Sequence, residues 1–144
     1  LNGKNVSQEI RTAEVNKHVS QTAAVKGVRE VLVKKQQQLA QNNMVVMDGR
    51  DITTVVLPEA EHKFFLTASL AERAKRRYQE VKLKKENADF EKIKESIARR
   101  DKLDSEREHS PLKQAADAVL VDTTDLSIDQ VLAKMIAIIE GERE

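Results

Sequence analysis

Cysteine and tryptophan are absent from this 144-residue sequence, which also has only four glycines, two prolines and 3% aromatic residues. Without cysteine the chain can form neither a disulfide framework nor a thiolate metal site, so we expect it in the cytoplasm. No apolar run approaches the roughly 20 residues that span a bilayer, and the first residues lack the order of a signal peptide. We therefore expect no membrane partner.

A surplus of charge of one sign is missing as well. The 25 basic and 24 acidic residues leave a formal net charge of +1, although 34% of all residues are charged. Such a balance argues against a bulk nucleic-acid binder. A basic cluster at residues 75–85 is typical of a solvated helix face, and RNA binding is the weaker alternative because aromatic platforms are scarce.

Five helices are predicted from apolar residues at helical spacing and from capping residues at Thr12, Ser69, Asp89 and Ser127. Residues 1–42 contain a turn at Asn2-Gly3, which resembles half of a hairpin, and two helices, so they form a separate small lobe. In the second of these helices we expect the apolar residues inside and the three glutamines at 36–38 in solvent. The last helix has a full apolar stripe that we expect to pack.

Three short apolar runs predict strands buried in a parallel sheet, at Met44–Met47, Lys63–Thr67 and Ala118–Asp122. Helices separate them, and this alternation is typical of an α/β layer. Ligands bind beyond the carboxyl ends of such strands. Asp48-Gly49-Arg50-Asp51 follows the first run, where Asp48 could face a hydrated magnesium ion and Arg50 a phosphate. An ordinary Asp-Gly turn is the alternative.

The order of several short motifs resembles that of bacterial cytidylate kinases along most of the chain. The motifs are Leu1-Asn2-Gly3, Glu9-Ile10-Arg11-Thr12, Val28-Arg29-Glu30, residues 48–56 followed by Pro58 and residues 64–68, Glu72-Arg73-Ala74, Arg100-Asp101, Asp122-Thr123-Thr124 and Leu126-Ser127-Ile128. The resemblance implies transfer of the γ-phosphoryl group of ATP, with Mg²⁺, to CMP or dCMP. It also implies an α/β fold with a partial P-loop kinase-like parallel sheet flanked by helices and a small nucleotide-binding insert lobe.

The same resemblance assigns domains and roles. Residues 1–42 would be part of the CMP-binding insert and 43–144 the core with lid helices at about 70–108, in a protein that is monomeric when full length. Arg50 and Arg107 would hold the acceptor phosphate, Arg100 and Asp104 the sugar, and Ser20, Arg29 and Asp51 the cytosine. Arg11 would lie near the nucleotide, Arg73 and Arg77 would close over the phosphates as lid residues, and Asp48 would reach Mg²⁺ through water.

Spacing alone leaves other interpretations open. Arg100, Asp104 and Arg107 share one helix face, which also suits an ion-pair ladder, and Arg73 and Arg77 also suit a solvated helix.

Two features depart from the family pattern. No segment matches G-x-x-x-x-G-K-[ST], so we expect the chain as given to be inactive in phosphoryl transfer, with its P-loop strand missing between the first two predicted strands. A non-catalytic module that binds nucleotide or phosphate is the alternative. Thr53 stands where the family usually has glycine, and a β-branched residue would resist a positive φ there.

Overall fold

The computed structural model describes residues 1–83 and 87–141, without the side chains of Ala13, Lys17 and Ser20. Its helices are α1 (Ala13–Ala24), α2 (Lys26–Gln41), α3 (Leu70–Leu83), α4 (Phe90–Glu106) and α5 (Ile128–Ile139), and its strands are β1 (Phe64–Thr67) and β2 (Val119–Asp122). A 3-10 turn at Glu9–Arg11 and a π-helical turn at Ile52–Val56 complete the elements. The predicted core and lid extend over residues 84–86 and 142–144, which lie outside the described part.

Capping explains where the helices begin. The Thr12 hydroxyl accepts a hydrogen bond from the Val15 amide, and the Asp89 carboxylate accepts one from Lys92. Ser127 and Gln130 form a reciprocal capping box at the start of α5. Such caps satisfy amides that have no partner inside the helix, so these predicted starts are confirmed.

The sheet has two parallel strands in register, with Phe64 opposite Val119 and Thr67 opposite Asp122. Because parallel neighbours need a crossover connection, the chain passes through α3 and α4 before it returns as β2. The two helices pack on each other at an edge-to-face contact of Tyr78 with Phe90, whose ring centroids are 5.9 Å apart. The predicted α/β class is confirmed.

The predicted strand at Met44–Met47 is wrong. This segment has no regular secondary structure, and the side chains of Met44 and Val46 are fully exposed. An apolar run becomes a strand only when a neighbour accepts its backbone hydrogen bonds, and none of the described segments lies beside it as a strand partner. The position predicted for a P-loop strand therefore stays a prediction.

Burial of the helix stripes also differs from expectation. No residue of α5 is buried, and Ile128 is 86% exposed, so the expected burial of this stripe is wrong. In α2, Val31 and Leu39 are exposed while Gln36 and Gln37 are partly buried, which reverses the expected orientation. None of the helices in the described ranges is long and apolar enough to span a membrane.

The turn at Asn2-Gly3 is present, with φ of 49° at Asn2 and 81° at Gly3, and the Lys4 amide donates to the Leu1 carbonyl. Two successive positive φ values are the signature of a type I′ turn, for which Asn-Gly is favoured. The flanking residues are not assigned to strands. The turn prediction is thus confirmed without the hairpin.

Candidate functional site

A cleft of about 130 Å³ lies between the α1–α2 pair, the segment at residues 49–52 and the second half of α4. Most of its polar lining was predicted from the sequence, although those residues come from three separate stretches of the chain. The lining comprises Val19, Ala23, Arg29, Gln36, Gly49, Arg50, Asp51, Ile52, Arg100, Asp104 and Arg107.

Asp51 is the buried centre of one half of the cleft, with only 3% of its surface exposed. The Arg29 guanidinium, from α2, donates to its carboxylate. On the other side, Nη2 of Arg107 lies 4.0 Å from Asp51 Oδ1. One carboxylate thus joins the predicted insert lobe to the end of α4.

The π-helical turn fixes the direction of Asp51. Its carbonyl accepts hydrogen bonds from the amides of Val55 at 2.9 Å and Val56 at 3.2 Å. Turns of this kind are rare and are frequent at functional sites. Thr53 does not have the positive φ that a β-branched residue would resist. Its side chain therefore fits this turn without the strain that we expected.

Gly49 brings the loop close to this turn. A Cβ at Gly49 would lie 2.9 Å from Cγ1 of Ile52, which is closer than side-chain atoms normally approach. Because residue 49 is glycine, the backbone there can lie against the Ile52 side chain, and Arg50 and Asp51 follow it directly.

Asp104 is the centre of the other half and is also buried. Its Oδ2 lies 2.8 Å from Arg50 Nε and 3.7 Å from Arg100 Nε. At the end of α4 the Leu112 amide donates to the Asp104 carbonyl at 2.8 Å, so backbone and side chain of this residue are both held. The structure therefore contains the ion pair between Arg100 and Asp104, and Arg50 also pairs with Asp104.

The charges in the cleft do not cancel. Four guanidinium groups face two carboxylates, which leaves two positive charges in excess among the described side chains. Burial lowers the pKa of Arg107, an effect that the Asp51 carboxylate opposes and the Arg29 guanidinium reinforces. An anion bound beside Arg107 would oppose this lowering, because it stabilises the charged guanidinium.

Two nitrogens in the cleft have no hydrogen-bond partner among the described residues, Arg107 Nη2 and Arg29 Nε. The Arg107 side chain is only 7% exposed, and its Nε donates to the Ser110 carbonyl, so it cannot turn to solvent without losing that bond. Buried donors without acceptors are costly, and a ligand oxygen would satisfy them. The arrangement is therefore suited to a doubly charged anion such as a phosphate monoester.

The predicted lid residues are not in the cleft. Arg73 donates from Nε to the Ala68 carbonyl at 3.0 Å and from Nη1 to Asp101 at 2.7 Å, and so connects the end of β1 to α4. Arg77 pairs with Glu80 on the surface at 2.8 Å. Both contacts agree with a structural reading of these residues, and the predicted lid role stays a prediction.

Two further predicted residues lie outside the cleft lining, and a third cannot be placed. Arg11 is exposed at the end of the 3-10 turn, and Asp48 is exposed just before Gly49. Ser20 belongs to α1, but its side chain falls outside the described part. Within the described ranges no group of three or more His, Cys, Asp or Glu side chains could hold a metal ion.

Sequence reasoning missed two buried contacts. Arg76 donates to the Thr123 hydroxyl at 3.1 Å and to the Thr123 carbonyl, which ties α3 to the end of β2. Lys63 is buried before β1 and donates to Asp117 and to the Pro58 carbonyl. No local pattern marks such pairs because their partners are distant in sequence.

Comparisons with known proteins identify the family of the chain. The family model described as cytidylate kinase matches residues 1–141, and the chain belongs to the cytidylate kinase family. It is similar to proteins named cytidylate kinase from Bacillus velezensis, at 59% identity over 97% of this chain and 62% of the relative, and from Anoxybacillus flavithermus, at 54% identity over 99% and 64%. A cytidylate kinase from Bacillus cereus is 55% identical over 98% of this chain and 63% of its own length. The chain thus spans less than two thirds of these relatives.

Proposed function

We propose that these residues form the nucleotide-acceptor site of a kinase that transfers the γ-phosphoryl group of ATP to CMP or dCMP and so serves pyrimidine nucleotide metabolism. The observation that carries the proposal is the buried Arg107 guanidinium with an unpartnered nitrogen, in a cleft with two excess positive charges. Membership of the family, whose relatives carry the name cytidylate kinase, supports the choice of nucleotide.

The acceptor phosphate would bind to Arg107 and Arg50. Arg50 donates to Asp104 through Nε alone, so its two Nη groups can donate to a phosphate. Asp104 would accept from a sugar hydroxyl with its other carboxylate oxygen, beside Arg100. The Arg50–Asp104 pair therefore connects the proposed phosphate and sugar contacts.

The base would lie toward Asp51 and Arg29, with Ser20 as a further contact. A carboxylate only accepts hydrogen bonds, so Asp51 suits the exocyclic amino group of cytosine and opposes the carbonyl oxygen that uracil has there. The ion pair with Arg29 holds the Asp51 carboxylate in place for this contact. Arg11 would approach the nucleotide when the small lobe closes.

ATP and Mg²⁺ complete the proposed reaction. Magnesium uses one or two carboxylates together with phosphate oxygens and waters, and the single exposed Asp48 fits an indirect contact through water. The ion would neutralise charge on the transferred phosphoryl group. Arg73 and Arg77 would leave Asp101 and Glu80 to approach the ATP phosphates. We also propose cytoplasmic location and a monomeric full-length protein.

Titration calorimetry of the 144-residue chain with CMP, dCMP and inorganic phosphate tests the acceptor site. We expect CMP to bind and Arg107→Ala to weaken the binding, whereas an absence of CMP and phosphate binding would remove the proposal. A coupled assay of ADP release with Mg-ATP measures phosphoryl transfer, and turnover would exclude the non-catalytic alternative. Because the sequence has no G-x-x-x-x-G-K-[ST] segment, we expect CMP binding without turnover, which is also the outcome for a non-catalytic nucleotide-binding module.

A further inference from the structure

Three consecutive glutamines of α2 have three different environments. Gln36 lines the cleft. The side-chain amide of Gln37 donates to the carbonyl of Val56 at 3.2 Å and lies 3.5 Å from that of Val55. Gln38 is exposed. Successive residues turn about 100° around a helix axis, so identical side chains are aimed at the ligand space, at the π-helical turn and at solvent.

Gln36 follows Arg29 by seven residues, which places both on one face of α2, about 10 Å apart along the helix axis. Among the cleft-lining side chains that the structure describes, Gln36 is the one that is polar and uncharged. Its amide makes no hydrogen bond to another described group. The cleft therefore holds one neutral donor and acceptor beside its ion pairs.

The chemistry of the other lining groups shows what such an amide can add. Arginines only donate, and both carboxylates already accept from arginines. The excess positive charge suffices for a phosphate. A pyrimidine ring instead presents a donor and an acceptor side by side, which a planar carboxamide matches in the way that glutamine pairs with adenine.

We propose that Gln36 is a further binding residue of this cleft and hydrogen-bonds the pyrimidine edge of the nucleotide. The inference rests on the proposed function. A carboxamide can rotate to exchange its donor and acceptor, so Gln36 pairs equally well with cytosine and with uracil. It supplies affinity for the pyrimidine, while the acceptor-only Asp51 supplies the choice of base.

Calorimetry with CMP, UMP, ribose 5-phosphate and inorganic phosphate tests this assignment on the 144-residue chain. For Gln36→Leu we expect the Kd of CMP and of UMP to rise by the same factor, roughly three- to tenfold, as for one or two neutral hydrogen bonds. Ribose 5-phosphate and phosphate should bind unchanged. Gln38→Leu is the matched control and should leave all four Kd values unchanged.

A second variant keeps the inference testable if Gln36→Leu folds poorly, which thermal unfolding of each variant will show. Gln36→Met keeps the length of the side chain without its amide, so the Kd of CMP and of UMP should again rise by the same factor while ribose 5-phosphate binds unchanged. Different factors for CMP and UMP, equal effects of Gln36→Leu and Gln38→Leu, or weaker binding of ribose 5-phosphate or phosphate to Gln36→Leu would overturn the assignment. If the wild type binds CMP in these experiments, such a result rejects the role of Gln36 alone. If the wild type binds no CMP or phosphate, the proposed function fails and the role of Gln36 fails with it.

Discussion

The cleft differs from the sheet and α5 in how completely its central side chains are buried and paired. In the cleft, Asp51 and Asp104 are 3% and 4% exposed and each is paired with arginines. Around the sheet, Val121 is fully buried but Leu120 and Ile128 are exposed. A few ion pairs between short segments can thus organise a recognition site where the apolar layer is only partly covered. Each prediction below compares a change in one region with a matched change elsewhere.

The largest effect is expected for Asp51→Ala. Removing this carboxylate leaves the buried guanidiniums of Arg29 and Arg107 without their shared partner. Breaking a buried ion pair from one side costs about 3–5 kcal/mol of unfolding free energy, measurable by urea denaturation. Glu80→Ala, which breaks the exposed pair with Arg77, should cost at most about 1 kcal/mol. Equal losses of unfolding free energy would mean that the ion pairs of Asp51 stabilise the fold no more than an exposed ion pair does.

Binding should reveal the same contrast along α4. Arg107→Ala removes a charge-assisted hydrogen bond worth about 1.5–3 kcal/mol, so the Kd of CMP should rise tenfold or more. Arg99→Ala is the matched control, because Arg99 is exposed on α4, which ends just before Arg107, and lies outside the cleft lining. A similar loss of affinity for both variants, measured by calorimetry, would point to general attraction by basic charge rather than to a site.

A smaller effect is expected at the start of the strands. The hydrogen bond from Lys63 lowers the pKa of Asp117 below its ordinary value of 3.8. A carboxyl group with a lowered folded pKa stabilises the fold above its unfolded pKa and loses that contribution as pH falls through the folded value. The stability difference between the wild type and Asp117→Asn should be constant from neutral pH to about pH 5 and shrink below 3.8. Urea midpoints at several pH values check this, and a difference that persists in strong acid would contradict the pairing.

The smallest effect is expected at α5. Ile128 is 86% exposed, so Ile128→Lys should change the unfolding free energy by no more than about 0.5 kcal/mol. Val56, at 1% exposure in the π-helical turn, is the counterpart, and Val56→Ala should cost about 1–3 kcal/mol. A large loss for Ile128→Lys in thermal or urea unfolding would show that α5 has a packing partner.

Local signals in the sequence were sufficient for part of the fold. Thr12, Asp89 and Ser127 cap the helices as expected, because capping depends on residues within one turn of each other. The prediction of a strand at Met44–Met47 was wrong because strand pairing depends on a neighbouring segment, which an apolar run does not specify. The prediction that the stripe of α5 packs was wrong for the same reason, since it too needs a partner.

Part of the candidate site was also predicted from the sequence. The motif resemblance identified Arg29, Arg50, Asp51, Asp104 and Arg107, and the structure brings them together. Sequence could not show that Arg50 pairs with Asp104 across 54 positions. The place of Gln36 in the cleft lining was not predicted, because the three glutamines at 36–38 look alike in the sequence. The spacing of seven residues from Arg29 was the signal that could have distinguished Gln36 from the other two.

The π-helical turn also makes the number of residues after Asp51 matter. Its bonds reach one residue further than those of an α-helix, and Leu57 donates to the Ile52 carbonyl at 2.7 Å to close it. Loss of a single residue between Ile52 and Val56 would favour an ordinary helical turn and rotate Asp51 relative to Arg29 and Arg107. Exchange of one side chain for another there leaves this geometry intact. Divergence of the segment should therefore proceed through substitutions at constant length, with insertions and deletions removed by selection.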